Sequence, residues 1–318
     1  MYMNIVILER NSVGDDISME PVRAFGNVTE YTDTTPDTVA ERVKDADIVI
    51  ANKMPLNENT LKDAKKVKLI CEFATGYDNI DTAYCKERGI AVCNVRGYST
   101  EAVVQHTFAL YFYLSEHLPY YDDYVKSGSY SAQPLFTHYG MHFNELSGKT
   151  WGIAGMGNIG KRVAQIAGAF GCKVISYSTS GKNESESSVS FDELLEYSDV
   201  ISLHCPLNEK TLHLFDYDAI CRMKDSAILI NVARGKVVDN ADLARALDEG
   251  RIAAAGLDVI EEEPISKDNP LMKVRDKDRL IITPHMAWAS TEARGRCVAE
   301  CAKNIASFLN GTSRSRVV

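Results

Sequence analysis

Nothing in this 318-residue chain approaches the roughly twenty consecutive apolar residues that a membrane span requires. Its first apolar run, Ile5 to Leu8, meets Glu9 and Arg10 at once, too early for the hydrophobic segment of a secretory signal. Cysteine occurs eight times but never as CxxC, and the nearest pair, Cys297 and Cys301, stands one helical turn apart. Buried free thiols are therefore the expectation, with no metal centre and no disulfide implied. Lys and Arg gather into no patch, and 44 acidic against 35 basic residues leave a net charge of −9. That balance argues against nucleic acid and anionic membrane surfaces as general partners. Short-period repeats and low-complexity linkers are absent as well. The expectation is a cytoplasmic globular protein, long enough for two domains with a core each.

What is present is alternation. Asn4 to Leu8, Ala46 to Ala51, Val67 to Cys71 and Ile90 to Cys93 read as strands, with helices near Pro36 to Lys44, Asn57 to Lys65 and Asp81 to Arg88. Strands that alternate with helices predict a parallel sheet covered on both faces. Thr100 to Leu118 has no Gly or Pro, follows the cap-like Ser99 and stops before Pro119, which predicts one long helix. Its apolar residues, among them Phe108, Leu110, Tyr111, Phe112 and Leu114, suit packing between domains or subunits. A polar stretch from Tyr120 to Asn144 follows. A second alternation then begins, with strands at Thr150 to Ala154, Lys173 to Tyr177, Val200 to Leu203, Ala227 to Asn231, Ala254 to Asp258 and Leu280 to Thr283. Six strands with helices between them match a doubly wound dinucleotide-binding sheet.

The first of these six runs into Gly155-Met156-Gly157-Asn158-Ile159-Gly160, a G-x-G-x-x-G followed by a helical segment from Lys161 to Phe170. The first glycine permits the turn, the second lets a pyrophosphate reach the backbone, and the third lets helix and strand pack closely. The helix start then offers the phosphates free N–H groups and the positive end of its dipole. At the end of the next strand, where an NAD enzyme usually carries Asp or Glu for the ribose, stands Ser178. The segment Tyr177-Ser178-Thr179-Ser180-Gly181-Lys182-Asn183 has no carboxylate to repel a 2′-phosphate, which leaves NADP open beside NAD.

Ligands of open parallel sheets sit beyond the carboxyl ends of the strands. There the third strand leads into His204-Cys205-Pro206, the fourth into Val232-Ala233-Arg234-Gly235, the fifth into Asp258 and the sixth into Pro284-His285. Arg234 offers a planar fork that suits a carboxylate, with a surface ion pair as the alternative. His285 is the side chain best suited to trade a proton near neutral pH. The run Glu261-Glu262-Glu263 could supply an orienting carboxylate; Glu261 and Glu262 are read as solvated.

These motifs resemble the D-isomer specific 2-hydroxyacid dehydrogenase family over essentially the whole chain. The resemblance is carried by Ala74-Thr75-Gly76-Tyr77-Asp78-Asn79-Ile80-Asp81, the Gly-rich turn, Pro206-Leu207-Asn208 with Thr211, Asn231 to Gly235, Gly256 to Val259, Glu263-Pro264 and Thr283-Pro284-His285. It implies Arg234, Glu263 and His285 as the catalytic set, with Arg234 on the substrate and Glu263 as the partner of the acid–base His285. It implies a cofactor held by Gly155 to Gly160, Ser178, Thr179, Cys205, Pro206, Thr211, Val232, Ala233, Arg234, Asp258, His285 and Ala287. Substrate would meet Lys53, Thr75, Gly76, Arg234 and His285. The implied architecture is a Rossmann dinucleotide-binding domain, residues 99–288, inserted in a flavodoxin-like substrate domain, 1–98 and 289–318, with the site in the cleft and a homodimer.

Within the family, Asn52-Lys53, Ala74 to Asp81, Gln105-His106-Thr107 and Ala287-Trp288-Ala289 are similar to the glycerate dehydrogenase (hydroxypyruvate reductase) branch. The expected activity is hydride exchange between NAD(P) and a small D-2-hydroxy or 2-keto acid. D-lactate or broader 2-ketoacid reduction, and a non-catalytic nucleotide-sensing module, are the alternatives.

Overall fold

The computed structural model describes residues 3–181 and 187–318, so Lys182 and Asn183 of the expected ribose pocket lie outside the described residues. Two compact units emerge, one made of Met1–Ser99 with Trp288–Val318, the other of Thr100–Ala287.

In the first unit, β1 (Met3–Ile7), β2 (Gly26–Glu30), β3 (Ile48–Ala51), β4 (Leu69–Glu72) and β5 (Ala91–Cys93) make one parallel sheet in the order β2-β1-β3-β4-β5. This is the flavodoxin-like order, in which the chain reverses its direction of travel between β1 and β3. β3 and β4 are buried along their whole length, as strands covered by helices on both faces must be. The sequence reading has no strand at β2. That edge segment, Gly-Asn-Val-Thr-Glu, has one aliphatic residue and is largely half-exposed, so hydrophobic alternation leaves no trace of it. The C-terminal helix Thr291–Leu309 is capped by Ser290, whose Oγ accepts from Ala293 N at 3.2 Å, and it buries Cys297, Val298, Cys301 and Ile305.

The second unit is built on β6 (Thr150–Ala154), β7 (Lys173–Tyr177), β8 (Val200–Leu203), β9 (Ile228–Asn231), β10 (Ala254–Leu257) and β11 (Leu280–Ile282). All pairings are parallel, in the order β7-β6-β8-β9-β10-β11. A single parallel bridge from Ser176 to Ser188 marks a further position outside β7. The order reverses at β6, which places the Gly-rich turn at the switch point where a doubly wound sheet takes its ligand.

The expected single helix from Thr100 to Leu118 is two helices. The first, Thr100–Ser115, ends before His117, whose φ of 49° is left-handed, and a second runs over Leu118–Lys126 with Pro119 in its first turn. Proline tolerates the first turn because its missing N–H has no partner there anyway, so Pro119 starts a helix and does not stop one. Nor is the first helix an element reserved for an interface. Phe108 and Tyr111 pack on Trp151 of β6, with ring centroids 4.8 and 5.3 Å apart, so its apolar face covers its own unit's sheet. Among the described residues no helix is long and apolar enough to cross a membrane. All eight cysteines are free thiols, and burial pushes Cys85 and Cys205 up to about 11 and Cys93 up to about 12.

Candidate active site

Each glycine of the turn after β6 meets a different demand. Gly155 has φ +101°, and a Cβ on it would stand 2.7 Å from Cys205 N, so a larger residue is excluded by both conformation and contact. A Cβ on Gly160 would meet Gly155 O at 2.1 Å, which is the close packing of helix on turn. Around Gly157 the space is open: nothing lies within 4 Å of where its Cβ would be. Gly157 is the N-cap of helix Asn158–Ala169, no side chain caps it, and no acidic residue stands in its first turn. The first-turn N–H groups therefore have no partner within the helix and face open space, an arrangement suited to a pyrophosphate. The helix begins at Asn158, three residues earlier than the sequence reading places it, so Met156, Asn158 and Ile159 belong to the turn and the helix start.

Ser178 and Thr179 follow β7 directly, and the register of Ala154 with Tyr177 sets them beside the Gly-rich turn. Ser178 Oγ lies 3.3 Å from Ser180 Oγ. After β8, Cys205 is buried, while Pro206 is exposed. Thr211 is fully buried and closes this loop on itself: its Oγ1 donates to Pro206 O at 2.7 Å and accepts from Asn208 N at 2.8 Å. Its hydroxyl thus shapes the loop at the carboxyl end of β8.

The Arg234 loop is braced from below. Asn231, buried at the end of β9, accepts from Ala233 N at 3.0 Å and donates to Arg234 O at 2.9 Å. Gly235 is packed so tightly that a Cβ would lie 1.8 Å from Ile260 O, which brings this loop against the segment leading to Glu263. Val232 and Ala233 are buried, and Arg234 is half-buried. The Arg234 guanidinium bonds the carbonyl of Ala233 at 2.8 Å, and among the described residues no carboxylate lies within ion-pair distance of it. Among the described residues, the surface ion pair considered as an alternative is therefore not there.

His285 and Glu263 come together. Nδ1 of His285 lies 2.6 Å from Glu263 Oε2, with the two side chains 27% and 33% exposed, so the pair is joined yet open to a ligand. Glu263 Oε1 also accepts from Ile260 N at 3.3 Å, which fixes the carboxylate from behind. His285 has φ 52°, a left-handed backbone that costs a residue with a side chain some strain. Its N–H donates to Asp258 O and Thr283 O at 2.8 and 2.9 Å. Asp258 is 1% exposed, and its carboxylate accepts from Thr283 Oγ1 at 2.6 Å, Met286 N at 2.9 Å and Ala287 N at 2.8 Å. Expected at the cofactor, Asp258 has this further task of tying down the loop that carries His285. No local sequence signal separates the two roles.

In the first unit, Lys53 is held through its backbone: the Glu9 carboxylate accepts from the N–H groups of Asn52, Lys53 and Met54 at 2.9 to 3.1 Å. Thr75 Oγ1 donates to Val95 O at 2.7 Å, and Thr75 O accepts from Asn94 Nδ2 at 2.7 Å. The backbone N–H groups of Thr75 and Gly76 have no hydrogen-bond partner among the described residues. Glu9 and Asn94 are bracing residues that the sequence reading assigns no role, and Asn231 is named there only as part of the Arg234 motif.

One group of metal-ligand type occurs among the described residues: His213, Asp239 and Glu261, whose ligand atoms lie within 4.8 Å of one another. Nε2 of His213 is 2.6 Å from Glu261 Oε1 and Nδ1 is 3.6 Å from Asp239 Oδ2, so each ring nitrogen faces a carboxylate. The expectation of a solvated acidic run holds for Glu262, which is exposed, and fails for Glu261, which is drawn onto His213.

Comparison with known proteins adds a separate line. Residues 108–287 match the family described as D-isomer specific 2-hydroxyacid dehydrogenase, NAD binding domain. A hydroxypyruvate reductase of Blautia hydrogenotrophica is 36% identical over 318 residues, covering 98% of this chain and 98% of that protein. Among solved structures, an acyclic imino acid reductase in complex with NADPH and D-Arg matches with a TM-score of 0.88 at 30% identity, over 99% of this chain and 100% of that one. D-lactate dehydrogenase from Aquifex aeolicus, complexed with NAD and lactic acid, matches with a TM-score of 0.84 at 32% identity, over 97% and 96%.

Proposed function

The chain belongs to the D-isomer specific 2-hydroxyacid dehydrogenase family and is an NAD(P)-dependent oxidoreductase; from that premise we propose that it reduces hydroxypyruvate or glyoxylate to the corresponding 2-hydroxy acid. The observation that carries the proposal is the His285–Glu263 pair at 2.6 Å in the same unit as an Arg234 that has no carboxylate partner among the described residues.

Arg234 takes the substrate's carboxylate and carbonyl oxygen by charge-assisted hydrogen bonds, and the free N–H groups of Thr75 and Gly76 take the carboxylate as well. Lys53 is assigned to the same substrate. With Nδ1 held by Glu263, Nε2 is the nitrogen left to His285 for proton exchange. In reduction it gives a proton to the carbonyl oxygen; in oxidation it takes that proton from the hydroxyl. The turn Gly155 to Gly160 holds the cofactor's pyrophosphate, and Ser178 and Thr179 its ribose. When bound, the nicotinamide supplies the hydride in reduction and accepts it in oxidation.

Phe136 is 88% and Tyr139 75% exposed, with Leu135 and Phe143 exposed beside them in sequence, an apolar stretch whose cover we assign to a second copy of the chain. Light scattering that returned the mass of one chain would end that assignment. Eight free thiols fit a reducing compartment, which supports the cytoplasm.

A panel of hydroxypyruvate, glyoxylate and pyruvate, each with NADH and NADPH, tests the function. The expected result is the highest kcat/KM with hydroxypyruvate or glyoxylate. Pyruvate as the clear preference would favour D-lactate chemistry, and binding of NADH without turnover of any 2-keto acid would favour a sensor.

A further inference from the structure

Behind the His285 loop lies a hydrogen-bonded chain that reaches the first helix of the second unit. His106, on helix Thr100–Ser115, places Nε2 2.9 Å from Thr283 Oγ1 and 3.5 Å from Asp258 Oδ1. Thr283 Oγ1 in turn donates to Asp258 Oδ1 at 2.6 Å. The hydroxyl has one proton, and it is spent on Asp258. Oγ1 must then accept from His106, which fixes an N–H on Nε2. Burial lowers the pKa of His106 from its ordinary value, against the opposing pull of Asp258, so the ring reaches Thr283 as a neutral donor near pH 7.

From Asp258 the chain divides to the Met286 and Ala287 amides, while His285 N is held by the carbonyls of Asp258 and Thr283. The loop Thr283 to Ala287 is thus pinned on both sides of a residue in a left-handed conformation, and its anchor is one buried carboxylate whose orientation depends on its donors.

We infer that His106 is a positioning residue for the dehydrogenase reaction, acting through Thr283 and Asp258 to hold His285 in line with Glu263. Its link to catalysis rests on the role proposed for His285, while its link to the loop stands on the hydrogen bonds alone. Gln at position 106 can return a donor near the place of Nε2; Phe fills the space and returns none.

The test uses the full-length protein in four forms besides the parent: His106→Phe, His106→Gln, Thr283→Val and the double variant His106→Phe/Thr283→Val. His106→Phe is expected to lower kcat for 2-keto acid reduction about tenfold, the scale of one lost hydrogen bond, with little change in the Kd for NADH. His106→Gln should recover most of that loss. The double variant should be no worse than the poorer single one, because both break the same chain. Hydrogen exchange at Met286 and Ala287 gives a readout independent of turnover: both amides should lose protection in His106→Phe and Thr283→Val and regain it in His106→Gln.

Unchanged protection and unchanged kcat in His106→Phe, or losses that simply add in the double variant, would overturn the inference. Lost protection in a protein that turns over no 2-keto acid would support the loop link and count against the functional reading only. Should His106→Phe fail to fold, Thr283→Val carries both readouts alone, and unchanged values there overturn the inference equally.

Discussion

The two halves of the second unit's sheet solve different problems with different residues. At the ends of β7, β6 and β8 stand Ser178, the glycines 155, 157 and 160, and Cys205; at the ends of β9, β10 and β11 stand Arg234, Asp258 and His285, with Glu263 close by. In the function proposed above, the first set is small and uncharged because backbone N–H groups and a helix dipole suit phosphates, and side chains would only obstruct them. The second set is ionisable, as the proposed grip on a carboxylate and movement of a proton require, since both need charge at defined atoms. Two histidines make the contrast sharpest. His204 follows β8 and His285 follows β11, both out of apolar strands. Yet His204 bonds Ser202 Oγ through Nε2 at 3.0 Å, and its buried Nδ1 has no hydrogen-bond partner among the described residues. Burial pushes its pKa down to about 3. His285, half-buried like His204, has a carboxylate at Nδ1 instead. Position after a strand is therefore not enough; the carboxylate at Nδ1 is what sets His285 apart.

The largest test of that contrast is a paired substitution. His285→Gln should lower kcat roughly 10²- to 10⁴-fold, the range of a lost general acid–base group, whereas His204→Gln should leave most of the turnover intact. Comparable losses would erase the distinction between the two halves. Arg234→Lys keeps the charge and loses the two-point grip, so kcat/KM should fall roughly a hundredfold. A variant within a few-fold of the parent would remove Arg234 from the substrate.

Smaller effects belong to the cofactor half. Ser178 offers nothing to repel a 2′-phosphate, so NADPH should serve comparably to NADH, and Ser178→Asp should shift the preference toward NADH about tenfold through like-charge repulsion. Strict NADH dependence of the parent would show that the selection lies elsewhere. His204 should speak through stability. Its folded pKa, about 3, lies below an unfolded value of about 6.5, so its contribution is complete above pH 6.5 and is lost as pH falls from there toward 3. Urea unfolding between pH 7 and 5 should show a slope of up to about 1.4 kcal/mol per pH unit from this group, and His204→Gln should flatten it.

How far the sequence reaches follows from what kind of signal each feature leaves. Strands buried on both faces, such as β3, β4 and β8, are continuous apolar runs and are readable directly. The edge strand β2 is not, because one buried face of five residues leaves too little pattern. Pro119 has the same letter whether it stops a helix or starts one, and the break at Glu116-His117 was decided by backbone conformation. In the proposed site, Arg234, Glu263 and His285 could be put forward from the sequence because chemistry restricts the residue types that can serve. The braces, Asn231 under Arg234 and His106 with Thr283 behind Asp258, could not, because ordinary polar residues become supports only through contacts across many residues of chain. Glu261 and Glu263 lie two apart in one acidic run and find different histidines, His213 and His285, a division that only the folded loop makes.

The central claim is that Glu263 and His285 act as one unit in moving the proton, and the pH dependence of kcat/KM in both directions tests it most directly. Reduction needs the protonated ring and should fall as pH rises; oxidation needs the neutral ring and should improve toward alkaline pH. Glu263→Gln preserves size and a hydrogen-bonding group but removes the charge 2.6 Å from Nδ1. The account predicts that the pH profiles of Glu263→Gln depart from those of the parent in both directions while cofactor affinity is unchanged. Superimposable profiles for parent and variant would contradict it and leave His285 working without its carboxylate.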